Sequence, residues 1–417
     1  MSIGYACQLI GVTGSELSRC TLKYADESRL KTVTEHNLKA LDFMIDYNIK
    51  NEIELFRISS DIIPFGSHPV NRILWWEEYK EQFYAIGEKI KRGKLRVSMH
   101  PGQYTVLNSP DEAVVRRSME DLIYHDRFLD ALGLDQTSKM VLHIGGVYGD
   151  KEESGKRFAS HFAQLPDSIK SRLILENDDK NYTVEEVLKI ASRTGSPVVF
   201  DNLHHALNPS LAKSSEREWI LECKKTWKPE DGNQKIHYSQ QLKEGPKGAH
   251  SDTIRIGPFE EFYCLVPETT DIMLEVKDKN LSAVKCINTV CRNARGKQLE
   301  TEWAKYKYYV LSRGANIYGE IRQLLKEKEL PLAREFYTKI EAAMDLPENK
   351  GAEINGADHV WGYFSKDCTE AEKKKYQKLL KGYQNGEINI AAVKKHLFAL
   401  AKKRELTYLT DSYYFYL

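Results

Sequence analysis

Nine residues could carry metal-ion chemistry: His68, His100, His143, Glu176, Asp201, His204, His237, His250 and Glu275. Seven of them end, or follow within a short loop, an apolar run rich in branched residues. These runs are IELFRIS before His68, LRVSM before His100, MVL before His143, LIL before Glu176, VVF before Asp201, KI before His237 and IML before Glu275. His204 and His250 sit in the loops that follow Asp201 and His237. A catalytic zinc uses about three protein ligands, so nine donors exceed the needs of one ion. Six imidazoles and three carboxylates without sulfur suit two or three ions such as Zn²⁺, Mn²⁺ or Fe²⁺. Any one of these histidines alone reads as a hydrogen-bonded loop residue. Their recurrence at successive strand ends is what points to a site.

Charge narrows the chemistry. Three divalent ions bring more positive charge than Glu176, Asp201 and Glu275 can neutralise, so the site calls for further anions. A hydroxide and a phosphodiester supply them, whereas a neutral sugar does not. Metal ions about 3.5 to 4 Å apart serve phosphoryl transfer by activating the attacking oxygen and stabilising the leaving one. The three carboxylates are therefore the candidate catalytic residues, together with Lys235. That lysine lies two residues before His237, so on one strand both side chains share a face. A protonated amine there would be repelled by the ions. Three states are open for it there, deprotonated, carboxylated to an anionic carbamate, or held on substrate phosphate, and they weigh evenly against a lysine that simply points elsewhere.

After His100 the segment Pro101-Gly102-Gln103-Tyr104 predicts a turn with an amide and a ring at its tip. One reading is a tyrosine lying over the rim of the fold. The other is a wedge driven into stacked bases, which costs least where damage has already weakened pairing. His205 neighbours His204 but faces the other way, which suits a supporting role. His36, His125, His161, His359 and His396 fall in helical or tail contexts and are not read as ligands.

The elements that must position these groups follow from hydropathy. Strands are predicted at Ile3 to Ala6, Ile53 to Ser59, Leu95 to Met99, Lys139 to His143, Arg172 to Glu176, Pro197 to Asp201, Lys235 to Tyr238 and Ile272 to Val276. Helical patterns alternate with them. Val115, Met119, Leu122 and Ile123 share a face within Glu112 to Leu132, and Thr183 opens a helix to Ser192 with Glu186 placed for a capping box. Eight β/α units predict an α/β fold, a (β/α)8 TIM barrel with its site at the C-terminal strand ends. An open doubly wound sheet is the structural alternative, but its sites cluster at one switch point.

From about Leu299 the strand signal stops, and helices such as Ala371 to Gly382 and Ile390 to Lys403 follow. The division predicted is a barrel over 1–298 and an all-α extension over 299–417. Twelve of the 23 tyrosines lie in that extension, which ends in TYLTDSYYFYL. They are read first as helix-to-helix packing, and second as a surface for a protein partner or for stacking bases.

The 417 residues hold 41% hydrophobic content and a net charge of only +1, so disorder is excluded and any attraction to a polyanion must come from local patches. Seven scattered cysteines without CxxC spacing suit neither a disulfide framework nor a thiolate zinc site. With no basic leader and no long apolar span, the expectation is a cytoplasmic protein, nucleoid-associated if bacterial, without membrane partners.

SMHPGQY (Ser98 to Tyr104), LHIGG (Leu142 to Gly146), LEND (Leu175 to Asp178), DNLHHALNP (Asp201 to Pro209) and LEVKDK (Leu274 to Lys279) together closely resemble the UV damage endonuclease family. The resemblance spans about the first 280 to 295 residues. It implies a barrel related to endonuclease IV and a trinuclear divalent-metal site, manganese being usual and zinc the second choice, with no organic cofactor. It also implies incision of damaged double-stranded DNA immediately 5′ to a lesion, leaving a 3′-hydroxyl and a 5′-phosphate. Implied substrates are cyclobutane pyrimidine dimers, 6-4 photoproducts and abasic sites. The family's ligands match the nine donors, its lesion-probing pair matches Gln103 and Tyr104, and its modified lysine matches Lys235. Tyr5 and Lys277 join them as candidate DNA contacts, although ACQLIGV after Tyr5 departs from the family pattern. From about Leu330 the tail looks similar to a small uncharacterised helical domain of bacterial proteins. Three rival readings are a metal-dependent barrel sugar isomerase, a general abasic-site endonuclease of the endonuclease IV type, and a metal-containing scaffold that recruits partners through its tail.

Overall fold

A computed structural model describes residues 1–292, 294–327 and 332–417; Leu330, where the tail's resemblance begins, lies outside them. Eight parallel strands form one sheet: β1 (Ile3–Cys7), β2 (Leu55–Ile58), β3 (Arg96–Met99), β4 (Lys139–His143), β5 (Leu173–Glu176), β6 (Val198–Val199), β7 (Gln234–Tyr238) and β8 (Thr270–Leu274). Their order is β6-β5-β4-β3-β2-β1-β8-β7. The two ends meet through a single parallel bridge, Asp201 to His237, reinforced by the His237 N–H donating to the Phe200 carbonyl at 2.9 Å. The fold is a nearly closed parallel barrel, as the alternation of strand and helix predicts. Strands such as Leu173–Glu176 are buried at every position, which is why they read as continuous apolar runs.

Strand limits shift for local reasons. Ile53 is taken up in closing the preceding helix, its N–H reaching the Asn48 carbonyl, and Ser59 caps a 3-10 turn. The strand expected at Pro197 to Asp201 contracts to two residues. Pro197 has no N–H to give a ladder, and Asp201 turns away to cap the helix Asn202–Leu207. β8 starts at Thr270 because Thr270 and Asp271 pair with Gln234 and Lys235 of β7, leaving Glu275 just beyond it. Helices follow their caps. The helix Val184–Thr194 has the capping box of Thr183 and Glu186 and stops at Gly195, whose φ of 73° the left-handed cap requires.

By backbone proximity the chain divides into two compact units. One comprises residues 1–9, 14–254 and 259–284; the other comprises 10–13, 255–258 and 285–417. The second has only helices and turns among its described residues. Its core includes Tyr308, Phe364, Tyr376, Tyr383, Leu397 and Tyr414. Of the tail's tyrosines, Tyr363 and Tyr408 are the ones more than 40% exposed. Among the described residues no helix is long and apolar enough to cross a membrane.

Candidate metal centre

Strand ends deliver the donors to one rim. His143 and Glu176 are the last residues of β4 and β5 and pair in register, His237 lies within β7, and His100 and Glu275 are the first residues after β3 and β8. Glu176 is the hub. One of its carboxylate oxygens lies 3.1 Å from His100 Nε2 and 3.5 Å from His143 Nε2; the other lies 2.7 Å from His237 Nδ1 and 3.7 Å from His204 Nδ1. His237 Nδ1 also comes within 3.4 Å of Glu275.

Among the described residues the donors form three groups, the ligand atoms of each lying within 4.8 Å of one another: His100, His143 and Glu176; Glu176, Asp201 and His204; Asp201, His237 and Glu275. Seven of the nine candidates thus fall into sets that share Glu176 and Asp201. His250 stands beside them, its Nε2 3.6 Å from Glu275. His68 is in none of the groups. It is exposed, and its Nδ1 accepts the Val70 N–H at 3.1 Å.

The residues fit divalent ions on two counts. Asp201 Oδ2, His237 Nε2 and His143 Nδ1 are buried polar atoms with no hydrogen-bond partner, and buried polar atoms rarely stay unpaired in a native fold. The second count is the electrostatic balance. Burial works to raise the Glu176 carboxyl, yet His237, His143 and His100 outweigh it and hold Glu176 well below the usual carboxylate range. Asp201 goes the other way: burial, with Glu176 and Glu275 adding repulsion against the pull of His204, pushes it up to about 6. Burial works against a charge on His204 too, but Asp201 and Glu176 raise it to about 9. Burial lowers His100 to about 4. Carboxylates crowded among imidazoles in this way await cations.

Several supporting residues escaped the sequence reading. Arg57, inside the IELFRIS run, is half-buried, its side chain 12% exposed, and forms an ion pair with Glu275. Its signal was a charge within an otherwise apolar strand. Asn177 clamps Asp201, accepting its N–H at 2.9 Å and donating to its carbonyl at 3.1 Å, while the Asn177 carbonyl meets His204 Nδ1 at 3.0 Å. His125, read as a helix residue without a site role, contacts Ser60 Oγ at 2.9 Å, and Ser60 donates to the His100 carbonyl at 2.8 Å. His205 packs near Phe200 and Trp219.

Lys235 is fully buried and its amine has no hydrogen-bond partner. Burial and the charge of Arg96 push it well below the ordinary lysine range. Of its three states, holding a substrate phosphate fits least, because the amine has no exposure. Tyr5 requires a correction: it is 0% exposed and its hydroxyl donates to Asn48 Oδ1 at 2.8 Å, so it cannot touch DNA. Lys277 is exposed but engaged with Asp252 at 2.9 Å.

Gln103 and Tyr104 occupy the middle of a tight turn closed by the Thr105 N–H to the Gly102 carbonyl at 2.9 Å. Tyr104 is 67% exposed. Beneath it the loop is fixed, with Thr105 Oγ1 donating to Asp121 at 2.7 Å and the Val106 N–H to Ser118 Oγ at 2.9 Å. At Gly102 a Cβ would lie 2.5 Å from the Tyr104 ring, so a larger residue there would displace the exposed ring. A hollow of about 520 Å³ lined by Tyr104, Phe65, His68 and Tyr124 lies beside the tip. Another, of about 570 Å³, is lined by Gln103, Tyr148, Asn181 and the ligand candidates His143 and His204.

Comparison with known proteins decides the affiliation. Residues 8–299 match the family model described as UV-endonuclease UvdE. The chain belongs to that family. The UV DNA damage endonuclease of Clostridium perfringens (strain 13 / Type A) is 38% identical over 421 residues, covering 99% of both chains. The protein of the same name from Bacillus cereus (strain Q1) is 35% identical over 269 residues, 64% of this chain and 84% of its own. The crystal structure of SacUVDE, at 39% identity, covers 70% of this chain and 98% of its own with a TM-score of 0.67. UvdE membership, with the three donor groups on the barrel rim, makes the chain a metal-dependent endodeoxyribonuclease of the DNA-repair class. Residues 307–417 match a separate model, a protein of unknown function (DUF1722).

Proposed function

We propose that the protein incises double-stranded DNA immediately 5′ to ultraviolet photoproducts, cyclobutane dimers and 6-4 lesions, and to abasic sites, leaving a 3′-hydroxyl and a 5′-phosphate. The observation that carries the reading is the arrangement of three donor groups around one shared carboxylate, Glu176, in a chain of this family. Residues 1–298 form the nuclease module in this account, and 299–417 the extension.

Three divalent ions, manganese first and zinc second, would be held by the three donor groups, with His250 and His68 completing the shells. Bound there, they supply an activated nucleophile at neutral pH and charge stabilisation on the transferring phosphate. The chain's own residues do the rest. Glu176 and Asp201, each common to two groups, fix the spacing of the sites; Arg57 orients Glu275; Asn177 holds Asp201 and His204 in one geometry. Burial and Arg96 lower the Lys235 amine, which favours the neutral form that adds carbon dioxide, and the resulting carbamate would add a negative charge at the ions.

Gln103 and Tyr104, on a tip anchored by Thr105, enter the duplex where stacking is already weak, and the hollows on either side receive displaced bases. Lesion choice follows from deformability, since unlike photoproducts share weak stacking and not a common hydrogen-bonding edge. Seven free cysteines suit a reducing cytoplasm. The direct test is a duplex oligonucleotide with one cyclobutane dimer, incubated with manganese and mapped at nucleotide resolution. A single cut at the phosphate 5′ to the dimer, with a ligatable 5′-phosphate, supports the reading. Cutting 3′ to the lesion, or no cutting, refutes it.

A further inference from the structure

The net charge of +1 hides a division along the chain. Residues 285–417 carry 24 Lys and Arg against 17 Asp and Glu, a net of +7; the remaining 284 residues carry 37 against 43, a net of −6. Within the tail the excess is local. The segment 366–404 holds 11 basic and 4 acidic residues and accounts for all of it. This segment contains the helices Glu370–Gln384 and Ile390–Lys403.

The placement of these lysines is ordered. On the first helix, Tyr376 and Tyr383 are buried. Lys374, Lys378 and Lys381 follow at i, i+4 and i+7, a spacing that sets them along one stripe of a helix, here on the side away from those tyrosines. All three are exposed, as is Lys375 beside them. Neighbouring charges are neutralised: Lys373 pairs with Glu370 at 3.0 Å, and Lys403 and Arg404 pair with Glu372 at 2.9 and 2.8 Å. Lys374, Lys375, Lys378 and Lys381 have no ion pair among the described residues. On the second helix Lys395 and Lys402, a further i, i+7 pair, are exposed as well, and Lys402 lies over the Phe398 ring at 4.7 Å. A face kept free of acidic partners, in a helical pair whose acidic residues are spent on other lysines, is arranged for an external polyanion.

We propose that this lysine face binds the phosphate backbone of double-stranded DNA, giving the protein a second, sequence-independent and lesion-independent grip on its substrate. This rests on the reading of the barrel as a DNA endonuclease. The charge division supplies the reason: the barrel portion, at −6 from its residues and about zero once three divalent ions are counted, has no net positive charge to draw DNA in, whereas clustered lysines raise encounter rates and hold the duplex through counterion release.

The test uses the full-length chain with Lys374, Lys375, Lys378 and Lys381 all changed to Gln. These are exposed helix positions, and circular dichroism and metal content verify that the fold is unchanged. Binding of an undamaged 30-base-pair duplex is followed by fluorescence anisotropy across a salt series. Each lost phosphate contact lowers the slope of log K against log[salt] by about 0.9, so the slope falls by about 3 to 4, and affinity at low salt falls at least about tenfold. The cut rate on a single-dimer duplex at saturating enzyme stays at the wild-type value. A slope unchanged in the folded variant overturns the proposal, and so does a loss of binding to anionic phosphatidylserine vesicles with duplex binding intact. Failure of the barrel reading looks different: wild-type protein then cuts no damaged duplex, although the slope still responds to the four substitutions.

Discussion

Changing Glu176 to Gln removes the residue on which the proposed centre turns. Glu176 belongs to two of the three donor groups, is 1% exposed, and meets four imidazoles. Gln keeps the shape but cannot bridge two cations with a full negative charge. Loss of a partner that only supports a ligand already costs about 10- to 100-fold in metal affinity, so a ligand shared by two ions costs at least about 10² to 10⁴ overall, or roughly 3 to 6 kcal/mol at 1.4 kcal/mol per tenfold. Only the group of Asp201, His237 and Glu275 stays whole. Elemental analysis of dialysed protein is therefore expected to fall from three ions per chain to one, and nicking of irradiated plasmid by at least a thousandfold. Glu275→Gln, which touches a single group, should retain two ions. Glu176→Gln protein that keeps three ions, or that nicks within tenfold of wild type, would refute the shared-ligand geometry.

Other expectations follow from the same structure. Changing Gln103 and Tyr104 together to Ala should lower cutting of dimer-containing duplex by about tenfold to a hundredfold, at 1 to 3 kcal/mol per lost stacking contact, with metal content unchanged; undiminished cutting disposes of the wedge. Arg57→Met leaves Glu275 buried without its partner, which costs about 3 to 5 kcal/mol in urea melts of metal-free protein. Manganese should recover most of that loss by taking over the carboxylate, and an equal loss in both states would contradict the role given to Arg57. Metal affinity should rise with pH, because His204 at about 9 and Asp201 at about 6 must release protons to bind. Expected is about one proton released at pH 7.5, a tenfold gain per unit between pH 6 and 9, and a steeper fall below 6; calorimetry in buffers of different ionisation heat, showing no proton release, would count against it.

The barrel and most of its donors were legible because seven of the nine end or closely follow an apolar run, and strand ends in a parallel barrel converge on one rim whatever the sequence between them. Convergence at Glu176 was not legible: nothing in LEND says that its two oxygens face different histidines. Arg57 was hidden inside a run read only for hydropathy. Tyr5 misled because a strand residue's type does not reveal which packing layer it enters, and here its hydroxyl is spent on Asn48. The shortened β6 shows the same limit, since Asp201 is both the expected strand end and a helix cap, and the cap prevails. The lysine face was obscured by a whole-chain charge near zero that averages two opposed regions.

The central claim is that this chain cuts ultraviolet-damaged DNA with metals held by the barrel rim. Supercoiled plasmid, irradiated or not, incubated with purified full-length protein and either manganese or chelator, tests it most directly. The account predicts nicks in irradiated plasmid with manganese and in no other condition. Equal nicking of unirradiated plasmid, or nicking that survives the chelator, would contradict it.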